Sequence, residues 1–320
     1  MLRRLTAMAR KKWFVIAACC AVLLWASVLP VPAQNVGKPV RFGLIRSLFR
    51  AADEGTVVSA THMFGELVAM QTGVRPEFSV VDEPGELARR IESGELEFGV
   101  LHGIEYAWVR ERHPSVKPVV LACNGSERLQ AQLLVRSDSA YERLSDLRSR
   151  RLSFPRRSMN HVHLFLHRAM EASGAQPDQF FASIQTPLSV TDALEAVIEA
   201  EADAVIVDGQ ALKFFREQQP VRSRRLRVLA ESPPFPTAVL LGSTNPERKG
   251  LGERLQTGLL RAHERLAARE LLMLWRLTRF EKPSDSYDRL LTEIVANYPK
   301  PFEPVSFVQE LYPSGAGGGR

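Results

Sequence analysis

From residue 40 onward, apolar runs of strand length alternate with longer stretches whose apolar positions recur at helical spacing. VRFGLI (40–45), FSVV (78–81), EFGVL (97–101) and VKPVVLAC (116–123) have the length and content of buried strands. Between them VVSATHMFGELVAMQT (57–72), PGELARRIES (84–93) and GIEYAWVRER (103–112) read as helices. Gly73 and Gly94 close the first two, and the third stops before Pro114. Strands that alternate with helices predict crossover units and a mainly parallel sheet.

The pattern then restarts. QAQLLVR (130–136) and RLSF (151–154) are strand-like, with a short helical turn over SDLRSR (145–150). SMNHVHLFLHRAMEASG (158–174) is a helix closed by Gly174. VTDALEAVIEAEA (190–202), DAVIVD (203–208), GQALKFFREQ (209–218) and LRVLAES (226–232) read helix, strand, helix, strand. TAVLLGS (237–243) is strand-like, and a long helical region reaches about 298 with a break near Lys282-Pro283. Two series joined by strand-like segments near 130–136 and 226–243 predict one lobe inserted in another. The expected fold is a two-lobed α/β protein, each lobe a mainly parallel sheet flanked by helices. Residues 38–133 with 232–312 form lobe 1 and 134–231 form lobe 2. Two crossing strands make a hinge, and a hinge places a ligand cleft between lobes. The tail PSGAGGGR (313–320) has no apolar content to fold around and is expected to be disordered.

The N-terminus sets the compartment. Arg3, Arg4, Arg10, Lys11 and Lys12 precede the apolar run WFVIAACCAVLLWASVL (13–29), and Val31-Pro32-Ala33 offers a cleavage site before Gln34. That order is a secretory signal peptide, 1–33. Retention of the run as an N-terminal anchor is the alternative, since its length is at the short edge of a membrane span. Cys19 and Cys20 lie in mid-run, which argues against lipidation there. Removing the leader changes the charge: 37 basic residues then face 36 acidic ones. A nucleic-acid partner would need a sustained basic excess, and none remains. Cleavage also leaves Cys123 alone, so no intramolecular disulfide is expected.

Three segments resemble the phosphonate/phosphite-binding branch of periplasmic substrate-binding proteins of ABC importers. ELARRIESGELEFGVLHGIEYAW (86–108) is similar to that family's helix, glycine, buried strand and tyrosine-bearing turn, with Tyr106 at the tyrosine's position. LSDLRSRRLSFPRRSMNHVHLFLHRAMEASGAQPDQFF (144–181) resembles its strand–turn–helix block, ending in a Gly-x-x-Pro-x-x-x-Phe pattern. TDALEAVIEAEADAVIVD (191–208) resembles its helix–strand block with a terminal acid. The resemblance implies a type II two-lobed fold, a solute between the lobes, and an anionic head at the start of the helix beginning near 157. A helix N-terminus suits that role on its own physics, because it presents unpaired N–H groups and a partial positive charge. This sequence departs from the family at the site. The usual Ser-Thr-Ser-Gly is Arg-Arg-Ser-Met-Asn (156–160), a cleft histidine falls at Val190, and a helix-ending glycine is Ala200. The architecture carries over; the phosphonate chemistry does not.

Candidate ligand contacts follow. Arg156 and Arg157 can each give bidentate hydrogen bonds to an oxyanion, or be a solvated loop pair. Ser158 and Asn160 can contact ligand or cap the helix. Tyr106 sits after a strand's carboxyl end, where open α/β sheets bind ligands, and otherwise packs on the sheet. His102, Arg46 and Ser47 occupy equivalent places, and Asp208 can accept from a ligand or cap the helix at Gly209. His161, His163 and His167 are the metal-like cluster, but zinc would need further ligands and no His-Glu-x-x-His accompanies them. Catalytic residues, metal and cofactor are therefore not expected. There is no nucleophile elbow or Gly-rich phosphate loop, and Cys123 reads as a buried strand residue.

The leading function is capture of a small anionic solute by lobe closure, as a monomer, and delivery to an ABC permease in the membrane. A membrane-tethered extracytoplasmic sensor is the alternative, with a metal-binding protein or enzyme behind it.

Overall fold

The computed structural model describes residues 38–49, 52–156 and 158–300. The leader, the tail 313–320 and Arg157 lie outside the described residues.

The first lobe begins with β1 (Val40–Ile45), α1 (Glu54–Thr72), β2 (Pro76–Val81), α2 (Pro84–Ser93), β3 (Phe98–Leu101), α3 (Gly103–Val109) and β4 (Val116–Cys123). The punctuation is local chemistry. Asp53 caps α1 by accepting from Thr56 N at 2.8 Å, and Gly73 ends it in the left-handed region. Pro84 occupies the first turn of α2, where its missing N–H costs nothing.

The chain then crosses through β5 (Arg128–Leu129) into β6 (Ala131–Arg136), β7 (Arg151–Ser153), α4 (Asn160–Ser173), β8 (Ser183–Gln185), α5 (Val190–Ile198), β9 (Ala204–Asp208), α6 (Gly209–Gln218) and β10 (Leu226–Glu231). It returns through β11 (Phe235–Pro236) to β12 (Ala238–Ser243), α7 (Lys249–Leu260), α8 (Leu266–Leu274), β13 (Arg279–Glu281) and α9 (Asp285–Asn297).

The first sheet has the order β13-β4-β12-β3-β1-β2, and the second β10-β6-β9-β7-β8. Each sheet packs apolar side chains on both faces. Phe42, Phe98, Val120 and Leu240 face α1, α7 and α8, while Leu101, Leu121, Val239 and Leu241 face α2, α3 and α9. In the second sheet Ala204 and Ile206 of β9 face α4, and Val205 and Val207 face α5 and α6. This two-sided burial is why the strands read as unbroken apolar runs.

Most strands in each sheet run one way, and β12 and β6 run against their neighbours on both sides. Both follow a crossing, and the two crossings pair as the antiparallel ribbon β5–β11. A strand entering from this ribbon must run away from it. The parallel strands around it therefore point their carboxyl ends back toward the ribbon in both lobes.

The differences from the sequence reading are short elements. β13 interrupts the region read as helical to 298, and its three residues are too few to show a period. The third helix ends at Val109 instead of 112, and α4 begins at Asn160 instead of 158. α5 stops at Ile198, and Ala200 turns left-handed (φ 61) where glycine would sit without strain.

Candidate functional site

The carboxyl ends of β7 and β9 deliver one half of the site. After β7 the chain turns at Pro155, whose carbonyl accepts from both the backbone N–H (3.1 Å) and the hydroxyl (2.7 Å) of Ser158. Arg156 N donates to Pro187 O at 2.9 Å, which fixes the turn against the segment before α5. Met159 is the N-cap of α4 and supplies no side-chain acceptor. The Ser158 hydroxyl is thus held within its own turn and does not cap α4. Asn160 opens the helix and is buried.

His161 follows, also buried, with Nε2 3.0 Å from Asp208 Oδ1. The other oxygen, Asp208 Oδ2, accepts from Ala211 N at 3.0 Å and caps α6. Gly209 N donates to Gln130 O at 2.8 Å, which ties this end of β9 to the crossing segment. The His161 ring lies 5.7 Å from that of Phe235 in β11, and Phe235 lies 4.5 Å from Tyr298. Leu164 packs with the first lobe's core, and Met159 packs against the cores of both lobes. The leading turns of α4 therefore sit where the two lobes meet.

The first lobe contributes β1 and β3. Arg46 begins a single 3-10 turn after β1 and pairs with Asp82, both exposed. Ser47 Oγ donates to Glu105 Oε1 at 2.6 Å, and Glu105 Oε2 accepts from His102 N at 3.1 Å. Glu105 is buried and closes the start of α3 from inside. Gly103 is demanded by close approach: a Cβ there would lie 2.3 Å from Thr237 O, so α3 starts directly against the return crossing. Tyr106 takes the packed place, the second of its two readings. Three residues into α3, its ring faces the core and its hydroxyl donates to Val116 O at 3.2 Å. Burial pushes its ionisation up to about 12.

Asp208 thus joins the first turn of α4 through His161, while Ser47 and His102 are joined to each other through Glu105. Arg46 is engaged at the surface, Tyr106 in the core, and Arg157 lies outside the described residues. Sequence reasoning missed three contributors. His161 was weighed as a metal ligand or as a surface or packing residue, and its partner is 47 positions away, so no local pattern marks the pair. Glu105 sits three residues after His102, a spacing that signals a capping box. Glu127 in the outgoing crossing accepts from Ser284 Oγ at 2.8 Å and from Ser286, binding the hinge to the start of α9.

The three α4 histidines diverge: His161 meets Asp208, His163 packs edge-on to Phe154 at 4.9 Å, and His167 lies 3.6 Å from Glu171. Among the described residues no three His, Cys, Asp or Glu side chains are grouped to hold a metal ion. Cys123 is fully buried, and burial raises its thiol to about 12. A cavity of about 190 Å³ bounded by Lys117, Ser243, Arg248 and Gln256 lies at the other end of the first sheet, away from the hinge.

Residues 49–287 match the family model described as ABC transporter, phosphonate, periplasmic substrate-binding protein. The chain belongs to that family. Its members bind substrates for transporters in the periplasm, and the fold agrees with solved relatives. XAC2383 from Xanthomonas citri, solved bound to chloride ion, is 18% identical and superposes with a TM-score of 0.55 over 85% of this chain and 99% of its own. The same protein bound to ATP gives 0.53 at 19% identity over 85% and 98%. PhnD1 from Prochlorococcus marinus in complex with methylphosphonate is 13% identical, with a TM-score of 0.52 over 81% and 97%. No curated protein matches the chain in sequence. No helix among the described residues is long and apolar enough to cross a membrane.

Proposed function

We propose that the chain is exported, loses its leader after Ala33, and captures a small oxyanion-bearing solute between its lobes for delivery to an ABC permease. It acts as a monomer and makes or breaks no covalent bond. The lobes are 38–133 with 232–312, and 134–231, joined at the β5–β11 ribbon. Family membership supports the capture role. The observation that carries the ligand class is the start of α4, which lies at the meeting of the lobes with no side-chain cap of its own.

A helix start without a capping side chain favours an incoming anion through its first N–H groups and its partial positive charge. Asn160 and His161 add side-chain donors, with Asp208 holding the His161 ring in place. Arg156 and Arg157 precede the helix and can replace the hydroxyls that the family carries there. The Ser158 hydroxyl is already committed to Pro155, so recognition shifts from hydroxyls to guanidinium, amide and imidazole. From the first lobe, His102 and the turn carrying Ser47, whose own hydroxyl is committed to Glu105, supply the second wall. Closure follows because such a ligand touches both walls only when the lobes approach.

Native mass spectrometry of the freshly exported protein, followed by thermal melts against phosphate, phosphonates, sulfonates and carboxylates, tests this. A true ligand at a hundredfold excess over its Kd adds about 2.7 kcal/mol, a shift of several degrees. Stabilisation by neutral or cationic solutes alone would overturn the assignment.

A further inference from the structure

A surface on the first lobe is unexplained by solute capture. α8 buries Ala268 and Leu272 beside α1, and leaves Leu266 and Met273 66% and 73% exposed. These two are seven residues apart, so they stand on one helical face. Met70 of α1, 40% exposed, is near its leading end, since Arg265 Nη1 donates to Met70 O at 3.2 Å. The segment 261–279 carries five arginines against two glutamates.

Beside it, α7 and the end of α1 line an open groove of about 460 Å³ that includes Gln71, Arg254, Arg261 and Arg265. Glu253 and Glu264 also line it, and Arg261 Nε donates to Glu264 at 3.0 Å, yet three arginines outnumber two carboxylates. The chain enters the fold at this same end, where Val40 N donates to Arg75 O at 2.8 Å.

We propose that this face docks the protein onto an anionic phospholipid surface. Leu266 and Met273 enter the headgroup boundary, and the arginines hold lipid phosphates. Exposed Leu266 and Met273, with Arg269 and Glu270 between them on the same face, give an apolar and charged helix face of the kind that lies in a bilayer interface. Guanidinium groups pair with phosphate by charge-assisted, often bidentate, bonds. Each arginine near such a surface is worth about fivefold in partition. Seating this face on the bilayer also puts the point where the chain enters the fold next to the membrane, whether or not the apolar run 13–29 is retained.

The test is cosedimentation of the exported protein with vesicles of equimolar phosphatidylcholine and phosphatidylglycerol, against phosphatidylcholine alone. Partition onto the anionic vesicles only, weakening with salt, is expected. The variant Arg261→Glu/Arg265→Glu/Arg269→Glu should lose about a hundredfold or more, Met273→Glu about tenfold, and Val221→Glu, exposed on the other lobe, nothing. In the unmutated protein, amide exchange in residues 265–274 should slow on anionic vesicles. Equal binding to neutral vesicles, an unaffected triple variant, or no exchange protection would overturn the proposal. So would a dimer abolished by Met273→Glu without vesicle binding, or binding of inorganic phosphate alone.

Discussion

The starts of α3 and α4 are the same device built twice, with opposite outcomes. Each follows a strand whose carboxyl end points at the hinge, and each begins where the lobes meet. At α3 the chain satisfies itself: Glu105 accepts from His102 N and Ser47, and Gly103 presses against Thr237 O. At α4 the N-cap is Met159, the nearby hydroxyl is turned back to Pro155, and Asn160 and His161 stand in the first turn. The first arrangement is a structural joint. The second has no side-chain cap, and the proposed anion would sit there, so affinity and specificity should reside mainly in the second lobe.

The largest break comes at the joint. Gly103→Ala puts a Cβ against backbone oxygen and should cost about 3 kcal/mol, measured by urea unfolding; a near-neutral result would mean α3 does not rest on the crossing. At the other start, Asp208→Ala removes a cap and the His161 partner together. It should cost about 2 kcal/mol and lower ligand affinity at least tenfold, while Ser47→Ala affects affinity far less. Equal losses by calorimetry would erase the asymmetry.

A pH experiment sharpens the role of Tyr106. Its ionisation is raised by burial from 10.0 to about 12, so an unfolded chain releases the proton first. The stability this confers is complete below pH 10 and is lost as pH rises toward 12. Tyr298 behaves alike. Tyr106→Phe should flatten the alkaline unfolding limb without changing ligand affinity; lost affinity would return Tyr106 to the site. The smallest effect is Ala200→Gly, which relieves a left-handed alanine (φ 61) and should gain up to about 1 kcal/mol, the relief being partly offset by greater unfolded-chain freedom.

Much of the fold was legible because strands buried on both faces leave continuous apolar runs. VRFGLI and VKPVVLAC coincide with β1 and β4 to the residue. β5, β11 and β13 were not legible, since two or three residues carry no period and their pairing is set by the rest of the fold. The proposed site rests on a place the sequence pointed to, and the contacts made there were less legible. Ser158 looks like a helix cap in sequence, but the turn at Pro155 takes its hydroxyl. His161 and Asp208 meet only because β9 and α4 converge on the hinge. The fit of Tyr106 into the core depends on which face of α3 turns inward, which a helix of seven residues is too short to show as a period.

The central claim is that the outside anion binds at the start of α4. Backbone amide chemical shifts, followed as the stabilising anion is titrated, test it most directly. The largest shifts should fall on residues 159–162, with smaller ones at 102–105. Shifts concentrated at the start of α3, with 159–162 unmoved, would contradict it.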